Sequence, residues 1–149
     1  MKRAAPRAAA FTVAVSVLGA PLQAAPAFVS TPPAEANYML NCMGCHLPDG
    51  SGAPGKVPSL RESLALLSMT GPGRRYLVQV PGASQAPLSN PELAQLLNWM
   101  VRNLSAHAVP AEFTDFTASE VAGYRRSTLV NVRDARARVL GGATGRGTR

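Results

Sequence analysis

The clearest pattern of apolar and polar positions lies in PLSNPELAQLLNWMVRNL, residues 87–104. Apolar side chains recur there at i, i+3, i+4, i+7 and i+11, which places them on one face of a helix. Ser89 and Glu92 form an S-x-x-E capping box, which predicts that the helix begins just after Ser89. Each apolar side chain contributes about 1.5–3 kcal/mol when fully buried, so this face should anchor the helix to a core. The five apolar positions are Leu93, Leu96, Leu97, Met100 and Leu104.

Weaker patterns predict further short elements on both sides of this helix. Residues 34–40 form an amphipathic segment that we expect to be helical, and residues 61–68 predict a short helix that TGPG ends. Periodicity alone leaves residues 74–80 as helix or strand. A second capping box, Thr117–Glu120, predicts another short helix toward the C-terminus.

The first 27 residues have the pattern of a secretory signal, which predicts export. Three basic residues precede an apolar run over residues 8–18, and small residues follow in LQAAPAF. Cleavage after Ala24, Ala25 or Ala27 fits the preference for small residues at such sites. The apolar run is about 11 residues long, shorter than the roughly 20 that a membrane-spanning helix needs. We therefore expect a periplasmic protein without a stable membrane span.

Positive charge is concentrated at the two ends of the 149-residue chain, whose formal charge is +7. Residues 28–119 have five basic and six acidic side chains, whereas residues 120–149 have seven Arg and two acidic residues. Because the middle is not basic and an exported protein rarely meets nucleic acid, we expect no nucleic-acid partner. The last nine residues, with four Gly and two Arg, predict a disordered tail. Such a tail is either a solvated terminus or a docking arm for an acidic partner.

The side chains that could bind a metal or a cofactor lie in NCMGCHLPDGSG, residues 41–52, which contains both cysteines of the chain. A structural zinc site needs a second pair of ligands, but His107 is the only other histidine. A thioredoxin-like redox motif needs a βαβ setting, and no Val/Ile-rich strand precedes this segment. A disulfide between Cys42 and Cys45 would close a loop too small to stabilise the fold much.

The fourth interpretation also uses His46, because C-x-x-C-H is the attachment signature of c-type haem. Two thiols add across the haem vinyl groups as thioethers, and the spacing of Cys42 and Cys45 brings both sulfurs to neighbouring corners of the porphyrin. His46 then offers its imidazole as the proximal iron ligand. The sequence therefore predicts one covalently bound haem c.

With these motifs, residues 34–104 resemble the small monohaem class I cytochromes c. The likeness is carried by CMGCHLPDGSGAPGKVPSL and by Tyr38, four residues before Cys42. Leu96 and Trp99, three residues apart in the terminal helix, match the pair that crosses the first helix in that family.

The resemblance implies an all-α, cytochrome c-like fold with about four short helices around one covalently bound haem. It favours helix for residues 74–80. We expect a signal peptide over residues 1–27, a haem domain over residues 28–108 and a C-terminal extension over residues 109–149.

The sixth iron ligand stays open at this point. The family places Met-Pro in the loop before the terminal helix, where this chain has Ala86-Pro87. The candidates are Met100 on the apolar face of the terminal helix, Met69 in an earlier loop, His107 beyond the helix, or no protein ligand. We predict His46 and Met100 as the iron ligands.

A small exported domain with one covalent haem is typical of an electron carrier, and we assign no residue a catalytic role. The expected partners are redox proteins, namely a periplasmic dehydrogenase as donor and an oxidase or another cytochrome as acceptor. The C-terminal extension suggests an alternative, a haem subunit of a periplasmic oxidoreductase complex. A gas sensor or a peroxidase-like protein would need an open distal site, and a peroxidase-like protein would also need an acid–base residue there.

Overall fold

A computed structural model describes residues 33–107 and 109–144, so the predicted signal peptide lies outside the described residues. Within those ranges the chain forms seven α-helices and no strand, which confirms the predicted all-α class. None of the helices is long and apolar enough to cross a membrane. The helices are α1 (Ala34–Asn41), α2 (Leu64–Ser68), α3 (Gly71–Gln79), α4 (Pro81–Ser84), α5 (Asn90–Leu104), α6 (Ala118–Tyr124) and α7 (Val132–Thr144).

Helix α5 is the centre of the core and packs against α1, α2 and α6. Its predicted apolar face is confirmed, because all five of the periodic side chains are buried together with Ala94 and Val101. The predicted capping box is also present. The Glu92 amide donates to Ser89 Oγ at 3.4 Å, and the Ser89 amide donates to Glu92 Oε2 at 2.8 Å.

Removing the Ser89 hydroxyl by Ser89→Ala should lower the stability at neutral pH by about 1 kcal/mol, the usual effect of losing an N-cap. The hydrogen bonds from Ser89 hold the pKa of the Glu92 carboxyl below its ordinary value of 4.5. Because the folded-state pKa is depressed, this stabilisation is present above pH 4.5 and is lost as the pH falls through the folded-state pKa. Urea denaturation across this pH range should therefore show that the free energy of unfolding falls less with decreasing pH in Ser89→Ala than in the unaltered chain. Equal acid losses in the two proteins would contradict the prediction.

Helices α1 and α5 contact each other through an aromatic pair, Tyr38 and Trp99. The rings of Tyr38 and Trp99 lie 5.6 Å apart between centroids and are tilted by 41°, which confirms the predicted crossing of α1 and α5. The buried Tyr38 hydroxyl donates to the carbonyl oxygen of Leu47 at 2.6 Å. Burial raises the pKa of this hydroxyl, so it remains a donor at neutral pH. Tyr38 therefore holds α1 to the segment that follows the C-x-x-C-H motif.

The short helix predicted over residues 61–68 forms as α2 and ends directly before the segment TGPG, and the same segment also begins α3. Thr70 is the N-cap, and its Oγ1 accepts a hydrogen bond from the Gly73 amide at 3.1 Å. A Cβ at Gly73 would lie only 2.2 Å from the Leu67 carbonyl oxygen, so glycine allows α2 and α3 to approach closely. The helical interpretation of residues 74–80 is confirmed as far as Gln79.

The C-terminal extension packs onto the rest of the fold. The Asn98 side chain donates to the Phe116 carbonyl at 3.0 Å and accepts from the Phe116 amide at 2.7 Å. Thr117 caps α6 as predicted, but only half of the expected capping box forms. The Glu120 carboxylate instead binds Arg74, at 2.6 and 2.5 Å from the two guanidinium nitrogens.

The predicted disordered tail over residues 141–149 differs from the structure, which continues α7 through Thr144. Residues 145–149 lie outside the described part of the chain. Helix α7 packs against α2 and α3. Ala135 is buried, and Arg136 Nη2 donates to Ser63 Oγ at 3.2 Å. Within the predicted tail Ala143 is buried, and local composition does not indicate such tertiary contacts.

Candidate cofactor site

The C-x-x-C-H motif forms a tight turn directly after α1. The Cys42 amide continues the helical pattern by donating to the Tyr38 carbonyl at 2.8 Å. The Cys45 and His46 amides then donate to the Cys42 carbonyl at 3.1 and 3.0 Å. This turn brings both free thiols and the imidazole to the lining of one cavity.

The cavity is apolar and has a volume of about 130 Å³. Leu60 and Leu64 line it from the segment after the motif, and three leucines and Met100 line it from α5. The remaining wall comes from the end of α3, from α4 and from the loop that follows α4. The lining residues of this wall are Leu77, Val80, Gly82, Ala83 and Ala86.

Burial favours the neutral forms of the Cys42 thiol and the His46 imidazole at neutral pH. The pKa of the Cys42 thiol is raised to about 11, mainly by burial and further by the neighbouring Cys45. Burial lowers the pKa of the His46 imidazole, which favours the neutral form that binds metals. Its Nδ1 atom is buried without a hydrogen-bond partner. A buried nitrogen without a partner is unusual in a native fold and indicates a missing neighbour.

A glycine-rich turn packs the loop after the motif against the cavity. A Cβ at Gly52 would lie 2.1 Å from the Val57 carbonyl oxygen and 2.8 Å from the Pro58 carbonyl, so only glycine allows this approach. Gly50 has a φ of 80°, and its carbonyl accepts from the Leu60 amide at 2.9 Å. The turn therefore holds Leu60 in the cavity wall.

The structure separates the candidates for the sixth iron ligand. Met100 lines the same cavity as His46 and is buried. Met69 is the C-cap of α2 and is not among the lining residues. His107 lies at the surface, 72% exposed, with its Nε2 3.6 Å from a Glu62 carboxylate oxygen. Ala86, at the position where the resemblance led us to expect methionine, has no side-chain atom that can bind iron.

The sequence alone did not indicate that the Arg125 side chain binds the loop containing Ala86. Arg125, at the end of α6, donates to backbone carbonyls of this loop, including that of Ala86 itself. It lies 37–41 residues further along the chain than the residues whose carbonyls it binds. No local pattern in the sequence marks such a contact.

The arrangement fits a haem better than a metal ion held by side chains alone. In residues 33–107 and 109–144, no group of three His, Cys, Asp or Glu side chains is gathered as a metal site. Two thiols, an imidazole with an unsatisfied buried nitrogen and apolar walls are instead the groups that a covalently bound haem needs. Cys42, Cys45 and His46 would hold it.

No protein-family model matches the chain. The chain is similar to cytochrome c-552 of Thermus thermophilus, with 30% identity over 112 residues. The alignment covers 63% of this chain and 86% of that protein.

Proposed function

Because the chain belongs to the c-type cytochromes, we propose that it carries one electron at a time on a single haem bound through Cys42 and Cys45. The observation that supports this most directly is that both thiols and the His46 imidazole line one apolar cavity. When bound, the haem supplies the one-electron iron couple. The protein holds the group covalently, so dilution after export does not remove it.

The chain's own residues set the environment of the iron. We propose that the His46 imidazole and the Met100 thioether would hold the iron. The leucines of α2 and α5 exclude water from the cavity, and such an apolar shell controls both the dielectric and the redox potential. No proton donor or acceptor is needed for outer-sphere electron transfer, which agrees with the apolar lining.

The surface around the motif supports brief contact with redox partners. Leu40 and Leu47 flank the C-x-x-C-H motif and are 77% and 56% exposed. Cys45 is also exposed, so the attachment site lies at the surface of the protein. We propose that a periplasmic dehydrogenase donates electrons here and that an oxidase or another cytochrome accepts them, after export directed by residues 1–27.

Expression in a host with c-type maturation tests this function. We expect one covalent haem per chain, a reversible one-electron titration and rapid electron exchange with a small redox protein. A purified chain that carries no haem from such a host would overturn the proposal.

If Met100 binds the iron, Met100→Leu should strongly change the redox potential and the absorption spectrum of the haem. Thioether ligation raises the haem potential, and axial ligands tune such potentials over about 0.8 V, so we expect a fall on the order of 0.1 V. The ferric spectrum should lose the weak far-red band of sulfur ligation, and carbon monoxide should bind the ferrous protein at once. Potentiometric titration and absorption spectroscopy measure these changes.

Met69→Leu is the matched control, because it removes a thioether that does not line the cavity. We expect its potential and spectrum to equal those of the unaltered protein. A loss of the far-red band in Met69→Leu, with the band retained in Met100→Leu, would reverse the assignment.

A further inference from the structure

Arg125 fastens one wall of the haem cavity from outside. Its Nε donates to the Ser84 carbonyl at 2.8 Å and its Nη1 to the Leu88 carbonyl at 2.5 Å. Its Nη2 donates to the carbonyl of Ala86, a residue that lines the cavity. Nη1 also lies 3.5 Å from Asn90 Oδ1, at the first turn of α5. One side chain therefore binds the carbonyl at the end of α4 and two alternate carbonyls of the loop between α4 and α5.

The geometry of this contact requires a guanidinium. Arginine presents five N–H donors in a rigid planar fork, whereas lysine offers a compact point charge. The loop itself has only short-range backbone hydrogen bonds, such as the Leu88 amide to the Ala86 carbonyl at 2.8 Å. Segments with so few regular hydrogen bonds open locally at low free energy. Arg125 supplies the contacts that oppose such opening.

The segment that contains Arg125 is itself held in place. Gln79 Nε2 donates to the Tyr124 carbonyl at 3.1 Å and to Ser127 Oγ at 2.7 Å. The Leu129 amide donates to the Gln79 carbonyl at 2.9 Å. On the other side, Thr128 Oγ1 and Ser84 Oγ lie 3.0 Å apart. These hydrogen bonds hold the backbone before and after Arg125, so its side chain is held in position instead of moving freely at the surface.

We infer that Arg125 is a positioning residue that keeps residues 84–88 closed over the haem cavity and so limits the access of small ligands to the iron. The inference rests on the proposed haem function for the ligand, but the contact itself is independent of it. The wall it holds contains Ala86, which provides no iron ligand. Where the Met100 thioether is absent or has dissociated, access depends on how firmly the backbone of this loop is held, and the C-terminal extension provides that hold.

The test uses the full-length, haem-loaded protein with three variants. Arg125→Gln removes the fork, Arg125→Lys keeps the charge without the fork, and Arg126→Gln removes the same charge from the exposed neighbour. Carbon monoxide association with the ferrous protein is measured for each variant in a Met100→Leu background, where the proposed thioether ligand does not compete. Amide hydrogen exchange of residues 82–90 is measured with Met100 present, and both experiments are run well below the unfolding midpoints of all the proteins. We expect both rates to rise about tenfold or more in Arg125→Gln and by less in Arg125→Lys, with Arg126→Gln unchanged.

Three results would overturn the inference. Unchanged carbon monoxide and exchange rates in Arg125→Gln would show that the loop stays closed without the fork. Equal effects of Arg125→Gln and Arg126→Gln would indicate loss of charge alone. Faster exchange along the whole chain in Arg125→Gln would indicate general destabilisation. If the unaltered chain binds no haem, the proposed function fails, and hydrogen exchange of residues 82–90 still decides whether Arg125 holds the loop.

Discussion

Replacing both Cys42 and Cys45 by alanine should abolish covalent haem attachment completely, while each single replacement should leave one thioether. Cys42 and Cys45, three residues apart, both line the cavity, and no other cysteine exists in the chain. Haem that is still bound non-covalently should be removed by acidic organic extraction. Mass spectrometry of the denatured protein measures the change directly.

The double variant should also be less stable than the haem-loaded protein. An unfilled apolar cavity of about 130 Å³ destabilises a fold by about 3 kcal/mol, at roughly 24 cal/mol per Å³. Denaturant unfolding measures this difference. Met43→Leu is the control, because it alters a side chain within the motif that does not line the cavity, and it should retain full haem. Haem that stays attached through denaturation of the double variant would contradict the assignment.

Arg74→Met should cause the largest loss of stability outside the haem site, about 3 kcal/mol, because it leaves a largely buried carboxylate without its partner. Arg74 binds Glu120 through two nitrogens, with side chains only 11% and 21% exposed. Its guanidinium carbon lies 3.8 Å from the centroid of the Phe116 ring. It also donates to the carbonyls of Ser68 and Thr114, at 3.2 and 2.9 Å.

This side chain joins α3 to the start of the extension, so its loss should release α6 before the rest of the fold. Urea denaturation should show the lower stability, and limited proteolysis should cut first after residue 110. Arg102→Met is the matched control, because the Arg102–Asp115 pair is about half exposed and exposed pairs contribute about 0–1 kcal/mol. Similar losses in the two variants would mean that the Arg74 contacts contribute no more than a surface pair.

Patterns between near neighbours in the chain predicted much of the haem domain. The capping box of Ser89 and Glu92 and the apolar face of α5 follow from spacings of three and four residues, because side chains so spaced share one helix face. The C-x-x-C-H motif likewise depends on residues within a single turn. Tyr38 and Trp99 are far apart in the chain, and it was the family resemblance that indicated their contact.

Contacts between residues far apart in the chain determined the parts of the structure that local patterns did not predict. Glu120 has the position of a capping-box residue, but its carboxylate binds the largely buried Arg74 side chain instead of the helix terminus. Residues 132–144 have a weak local pattern and become helical against α2 and α3. No local pattern marks Arg125, and yet it binds the carbonyls of Ser84, Ala86 and Leu88. Spacing along the chain determines which side chains share a helix face, whereas the path of the folded chain determines which distant groups meet and lose their water.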